Sequence, residues 1–196
     1  MTKRIFIING HPGTASISKS LVEHYAEAAT RAGHAVRIAH LPDLRFDSDF
    51  GEGGYQATKP LEPALEQFLD DLHWSEHVVL ASPMWWGGLP AKLKGLFDRI
   101  LLPGRTFSTR DKTWLEFPLP MLAGRTGRFI LTSDTPSLYM HCLYGNALFR
   151  QVRSQIFSFI GIAPTRITHL IGASHPEPKK LDRWFGRMER LGTLGA

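Results

Sequence analysis

Three segments of the sequence combine residue types that bind ligands, and each follows a short apolar run. The first, residues 9–18, reads NGHPGTASIS and carries His11, Ser16 and Ser18. Glycines let the backbone approach a ligand closely, and the free N–H groups at the start of a helix attract phosphate. This segment therefore predicts a phosphate site with hydroxyl and imidazole donors. The alternative interpretation is that Ser16 only caps the helix that follows.

The second segment, residues 82–95, reads SPMWWGGLPAKLKG. Two adjacent tryptophans, Trp85 and Trp86, cannot both face one protein interior. Aromatic rings beside exposed glycine backbone suit a flat conjugated ligand such as an isoalloxazine, whose edge backbone groups can bond. The alternative is an interface patch, because tryptophan is common at protein interfaces. The two interpretations are compatible, since a second subunit could close the pocket.

The third segment, residues 132–139, reads TSDTPSLY. Thr132, Ser133 and Asp134 form a polar cluster, which predicts hydrogen bonds to the edge of a flavin as negative charge develops there on reduction. Tyr139 could protonate an acceptor oxygen and is the candidate catalytic residue. The alternative for this segment is ordinary turn chemistry.

Five apolar runs alternate with helical patterns and must position these segments. The predicted strands are residues 3–9, 34–40, 77–82, 127–133 and 165–171, and residues 146–159 predict a helix before the last strand. This alternation predicts one α/β domain over residues 1–196, a flavodoxin-like three-layer sandwich with a parallel sheet in the order 2-1-3-4-5 and helices on both faces. Ligands of such sheets bind beyond the carboxyl ends of the strands, where the three segments lie. Residues 105–124 predict a long irregular loop.

The composition narrows the class of protein. Of the 196 residues only Cys142 is a cysteine, so no intrachain disulfide can form, and no apolar run reaches membrane-spanning length, so we expect a cytoplasmic protein without membrane insertion. The net charge of +5 is concentrated after residue 91, which would attract dinucleotide phosphates. No nucleic-acid-binding motif accompanies that charge, so we expect no nucleic-acid partner. The nine histidines lack the paired spacing of a metal site, so we expect no bound metal ion.

The stretch SPMWWGGLPAKLKGLFDRI resembles the signature of the NAD(P)H:quinone oxidoreductase family, which includes DT-diaphorase and the bacterial quinone reductases. The opening Gly10-His11-Pro12, followed by Ser16-Ile17-Ser18, also resembles that family. The resemblance implies a flavodoxin-like homodimer with a flavin, usually FAD and alternatively FMN, at two sites shared between subunits.

The resemblance also implies roles for individual residues. It places the flavin phosphate on His11, Ser16, Ile17 and Ser18, the isoalloxazine on residues 83–87 (Pro83, Met84, Trp85, Trp86 and Gly87), and the opposite edge of the ring on Thr132, Ser133 and Tyr139. This chain departs from the family pattern at Ser18, where asparagine is frequent, and at Asp134-Thr135, where two glycines are common.

The function implied is hydride transfer from NADPH or NADH through the flavin to a quinone-like acceptor. Donor and acceptor would occupy one place in turn, which predicts ping-pong kinetics. Two alternatives stay open. One is a flavodoxin-type electron carrier, although such carriers tend to be acidic. The other is a redox-sensing regulatory subunit, for example beside a membrane transporter.

Overall fold

The computed structural model describes residues 2–49, 51, 58–112, 115 and 117–196 of the chain. The strands are β1 (Arg4–Asn9), β2 (Ala35–His40), β3 (His77–Pro83), β4 (Phe107–Lys112), β5 (Pro118–Pro120), β6 (Arg125–Ser133) and β7 (Ile162–Ile171). The helices are α1 (Ile17–Arg31), α2 (Pro63–Trp74), α3 (Ala91–Ile100), α4 (Ser137–Cys142), α5 (Ala147–Arg150) and α6 (Pro178–Leu194). A π-helical segment, Gln151–Ser158, continues from α5.

The five predicted strands form one sheet in the order β2-β1-β3-β6-β7, and every neighbouring pair is parallel. Counted along the sheet's own strands, this is the predicted order 2-1-3-4-5. The last two strands begin earlier than predicted, at Arg125 and at Ile162. The order of the strands along the chain reverses direction between β1 and β3. Because β1 and β3 are parallel neighbours, their carboxyl ends lie side by side at this point.

The apolar strands bury both faces of the sheet. Ile5 and Ile7 pack with α1 and α6 on one face, whereas Phe6 and Ile8 pack with α2, α3 and the π-helical segment on the other. Successive side chains of a strand point to opposite faces, so a strand covered on both sides is apolar throughout. The prediction of helices on both faces is confirmed.

Two predictions of local structure were wrong. Residues 105–124, expected to be irregular, contain the antiparallel pair β4-β5, in which Phe107 pairs with Pro120. The predicted loop after residue 133 contains α4, whereas the helix predicted over 146–159 is present as α5 and the π-helical segment. The pair β4-β5 and α4 are short, so tertiary contacts rather than sequence periodicity determine them. Among the described residues, no helix is long and apolar enough to cross a membrane.

Candidate functional site

The three segments predicted to bind a ligand converge on one cleft of about 280 Å³ at the carboxyl ends of β1, β3 and β6. The cleft is lined by His11, Ser16, Ile17, Ser18, Pro83, Met84, Trp85, Thr132, Ser133, Asp134, Ala173 and Ser174. Ten of these were predicted from the sequence. The backbone N–H of Met84 donates to the carbonyl of Thr132 at 2.9 Å, which joins the second and third segments directly.

The amino terminus of α1 forms one wall of the cleft. The Ser16 hydroxyl accepts a hydrogen bond from the Lys19 N–H at 3.1 Å, so Ser16 does cap the helix. The Ser18 hydroxyl is buried and has no hydrogen-bond partner among the described residues. A buried polar group without a partner is costly unless a ligand or water supplies one. Together with the free N–H groups of the first helical turn, Ser18 makes this wall suited to an anionic oxygen.

His11 contributes a defined donor to the cleft. Its Nδ1 accepts a hydrogen bond from the Gly13 N–H at 2.9 Å. In the neutral imidazole the proton is therefore on Nε2, which is a donor. The backbone of His11 is held in turn by the Asn9 side chain, whose Oδ1 accepts its N–H at 3.2 Å.

The two adjacent tryptophans have different positions. Trp85 and Gly88 exchange two backbone hydrogen bonds, of 3.0 and 2.9 Å, across a tight turn. Trp86 and Gly87 occupy the central positions of this turn with φ of 51° and 77°. This is the left-handed backbone conformation, which residues other than Gly and Asn rarely adopt. Trp85 consequently lines the cleft, while Trp86 projects fully into solvent and lines none of it.

Two residues after β7 complete the cleft. Ser174 donates to the Asp134 carboxylate from its hydroxyl and, at 2.9 Å, from its N–H. These two bonds hold the pKa of Asp134 below its ordinary value, so this wall carries a negative charge at neutral pH. The wall formed by α1 and the wall formed by Asp134 therefore offer opposite electrostatic environments.

Three predicted residues lie outside the cleft lining. Trp86 and Gly87 are at the tip of the turn, and Tyr139 is half-exposed on α4. Their roles as ligand-binding or catalytic residues stay predictions.

The model of a protein family with the description "flavodoxin-like fold" matches residues 3–190 of this chain. The chain belongs to this flavodoxin-like family. Its membership agrees with the parallel sheet, the strand order and the cleft at the carboxyl ends of the strands.

Individual relatives of this flavodoxin-like chain are known. An FMN-dependent NADH:quinone oxidoreductase from Polaromonas naphthalenivorans is 25% identical over 201 residues, which cover 92% of this chain and 87% of the relative. Two solved structures share the fold of this chain over their full lengths at 19% identity. One is an NAD(P)H:quinone oxidoreductase from Methanothermobacter marburgensis, with a TM-score of 0.79. The other is an FMN-dependent NADH-azoreductase from Bacillus anthracis in complex with FMN, with a TM-score of 0.74.

Sequence reasoning missed Ala173 and Ser174 in this flavodoxin-like cleft. A signal existed, because the carboxyl end of the fifth strand must lie at the same edge as the others. The segment Gly172-Ala173-Ser174 follows that strand directly and contains a hydroxyl donor. Small polar residues after a parallel strand are a weak pattern by themselves, so the sequence alone does not identify this segment as part of a site.

Proposed function

We propose that this chain is an FMN-dependent NADH:quinone oxidoreductase and that the cleft holds the flavin. The observation that carries the proposal is the buried Ser18 hydroxyl, which has no partner in the described structure and lies at the amino terminus of α1 in the cleft. An incoming phosphate oxygen would accept hydrogen bonds from the Ser18 hydroxyl and from the free N–H groups of the same helical turn. The names of the relatives support the same flavin chemistry.

We propose FMN rather than the FAD favoured from the sequence, because the relatives are named as FMN-dependent. FMN ends in a phosphate, which matches the helix amino terminus at Ile17 and Ser18. His11 would add its Nε2–H as a further donor. Asp134, which is negatively charged, would face uncharged parts of the ligand.

Trp85, Thr132 and Ser133 would position the ring system. The Trp85 indole provides an apolar surface in the cleft, and Thr132 and Ser133, which also line it, carry hydroxyl groups. Bound FMN supplies the chemistry by accepting a hydride from NADH and passing it to the quinone. The side chains orient the ring and stabilise the charge that develops at its edge. Tyr139, half-exposed on α4, would supply a proton to the acceptor oxygen.

We further propose that two copies of the chain form a dimer that closes this cleft. Trp86 is fully exposed next to the cleft residue Trp85, and α4 together with its C-cap residue carries the exposed side chains of Leu138, Tyr139 and Leu143. Large apolar side chains clustered at a surface are typical of protein interfaces. In such a dimer the partner would cover the open side of the ring.

Steady-state kinetics of the FMN-loaded protein test the proposal. With NADH and a soluble benzoquinone varied together, double-reciprocal plots should be parallel, because one substrate leaves before the other binds. Oxidation of NADH without reduction of the quinone, or intersecting lines in the double-reciprocal plots, would contradict the mechanism. A protein that binds FMN but oxidises neither NADH nor NADPH would instead be an electron carrier or a regulatory subunit.

A further inference from the structure

His169, on β7 behind the cleft, connects two serine hydroxyls. Its Nε2 lies 2.8 Å from the Ser133 Oγ, and its Nδ1 lies 3.4 Å from the Ser137 Oγ. The ring of Phe149 packs edge-on against the imidazole, with centroids 5.4 Å apart. Ser133 lines the cleft, whereas His169 and Ser137 do not contribute to its described lining. The hydrogen bond to Ser133 therefore connects His169 to the lining of the cleft.

The imidazole of His169 has only one proton to share between the two serines. Partial burial lowers its pKa below the ordinary value, so the ring is neutral at neutral pH. A neutral imidazole donates from one nitrogen and accepts at the other. If Nε2 carries the proton, Ser133 accepts from His169 and its own hydroxyl proton is free for the cleft. If Nδ1 carries the proton, Ser133 must donate to His169 and offers the cleft only lone pairs.

We propose that His169 is a positioning residue that carries its proton on Nε2 and thereby makes the Ser133 hydroxyl a hydrogen-bond donor to the flavin ring. The Ser133 hydroxyl donates its one proton to the Thr135 carbonyl at 3.4 Å, so in the 2.8 Å contact the Ser133 Oγ accepts and His169 Nε2 donates. The other acceptor near the Ser133 hydroxyl, the Thr135 carbonyl, is 3.4 Å away, so a ligand oxygen can replace it. This inference rests on the proposed function, in which the flavin occupies the cleft.

The consequence is a preference for one redox form of FMN. Negative charge is greater at the ring edge in the two-electron-reduced form, so a donor there binds that form more tightly than the oxidised form. An acceptor at the same place would have the opposite effect. The tautomer of His169 therefore affects the midpoint potential of the bound flavin without direct contact with it.

Replacing His169 tests the proposal through affinity rather than activity. In His169→Phe, the affinity for reduced FMN relative to oxidised FMN should fall roughly tenfold, as expected for one hydrogen bond to a charged group. For a two-electron couple, a tenfold change corresponds to about 30 mV in midpoint potential. Ser133→Ala should give the same change, and the double variant should give no more, because both residues act through one bond.

Two further variants separate this role from a structural one. His169→Gln retains an amide N–H at the position of Nε2 and should restore most of the potential. Ser137→Ala removes only the weak contact at Nδ1 and should leave the potential unchanged. An unchanged potential in His169→Phe, or an equal shift in Ser137→Ala, would overturn the proposal.

The tautomer can also be measured without FMN. Long-range ¹H–¹⁵N correlation spectra of the ligand-free protein should show the His169 proton on Nε2, and a proton on Nδ1 would overturn the inference whatever FMN does. Failure of the wild-type protein to bind FMN would instead contradict the proposed function, and the two failures are therefore distinguishable.

Discussion

The imidazole of His11 contacts the indole of Trp85 edge-on, with ring centroids 5.7 Å apart and planes at 81°. This contact joins the segment after β1 to the segment after β3. Gly10 makes the approach of these elements possible, because a Cβ there would lie 2.6 Å from the Leu93 side chain and 3.0 Å from the Ala81 carbonyl. The donor of His11 and the apolar face of Trp85 are thus held in one cleft before any ligand binds.

Replacing Ser18 should separate ligand binding from stability. Ser18→Ala removes a buried hydroxyl that has no partner in the described part of the chain, and alanine is the better helix former. The ligand-free variant should therefore be as stable as the wild type or more stable by about 0.5 kcal/mol, measured by urea unfolding. Its FMN dissociation constant should rise roughly tenfold or more, as for a lost hydrogen bond to a charged group.

Ser20→Ala is the matched control, because Ser20 is also on α1 but is not part of the cleft lining. It should leave FMN affinity unchanged. A Ser18→Ala protein with wild-type FMN affinity would show that the phosphate is not bound at this helix terminus.

Trp86 should act through the proposed dimer. Trp86→Asn preserves the turn, because asparagine tolerates the left-handed conformation that φ of 51° requires. Removal of the exposed indole should weaken dimerisation by about 2 kcal/mol, as for an interface aromatic residue, measured by sedimentation equilibrium. Leu194→Asn is the control, since Leu194 is also exposed but belongs to the end of α6. Equal effects of the two substitutions would contradict this assignment of the interface.

His77 should make stability depend on pH. Its side chain is buried on β3, and burial, reinforced by the positive charges of Lys3 and Arg128, lowers its pKa to about 3 from the ordinary 6.5. Below pH 6.5 the unfolded chain binds a proton at this residue and the folded chain does not. The stabilisation is therefore complete above pH 6.5 and is lost as pH falls toward about 3. The corresponding decrease in unfolding free energy is at most about 1.4 kcal/mol per pH unit.

Urea unfolding of His77→Leu between pH 4.5 and 7.5 measures this contribution. The variant should lose about 1 kcal/mol at neutral pH, because the Thr126 hydroxyl loses the partner that now lies 2.7 Å away. Its stability should depend less on pH than that of the wild type. His73→Gln, which changes an exposed histidine on α2, should keep the wild-type slope. If the unfolding free energies of His77→Leu and the wild type changed with pH in parallel, the assignment of His77 as a buried neutral histidine would be wrong.

The crossing of α1 and α6 should tolerate no side chain at Gly192. A Cβ there would lie 2.2 Å from the Tyr25 carbonyl oxygen, so Gly192→Ala must separate the two helices. We expect a loss of about 1–3 kcal/mol in unfolding free energy. Gly186→Ala, on the same helix with no described atom within 4 Å of its Cβ, should gain about 1 kcal/mol from helix propensity. An increase in unfolding free energy for both variants would show that α1 and α6 pack less closely at Gly192 than the structure describes.

The sheet and most of the cleft could be predicted because buried parallel strands appear as continuous apolar runs. Once the strands were placed, topology brought together the segments after β1, β3 and β6, and the glycines, serines and tryptophans identified them. Within a segment, the sequence could not say which tryptophan faces the ligand. The φ angles of Trp86 and Gly87 decide that, and a tight turn depends on its backbone hydrogen bonds rather than on side-chain periodicity.

The residues that were missed depend on contacts between distant segments. His169 is part of an alternating strand pattern, and only the fold places it against Ser133. Ser174 gains its significance from Asp134, forty residues earlier. The pair β4-β5 includes a three-residue strand bounded by Pro118 and Pro120, and proline cannot donate to a ladder, so its sequence gives little indication of a strand.

Binding and reduction of FMN can be measured together in the visible absorption spectrum of the FMN-reconstituted protein, recorded without oxygen before and after one equivalent of NADH. We expect FMN to stay bound after gel filtration, NADH to bleach its visible absorption and a benzoquinone to restore it. A protein that retains no FMN, or whose bound FMN is not bleached by either NADH or NADPH, would contradict the proposed function.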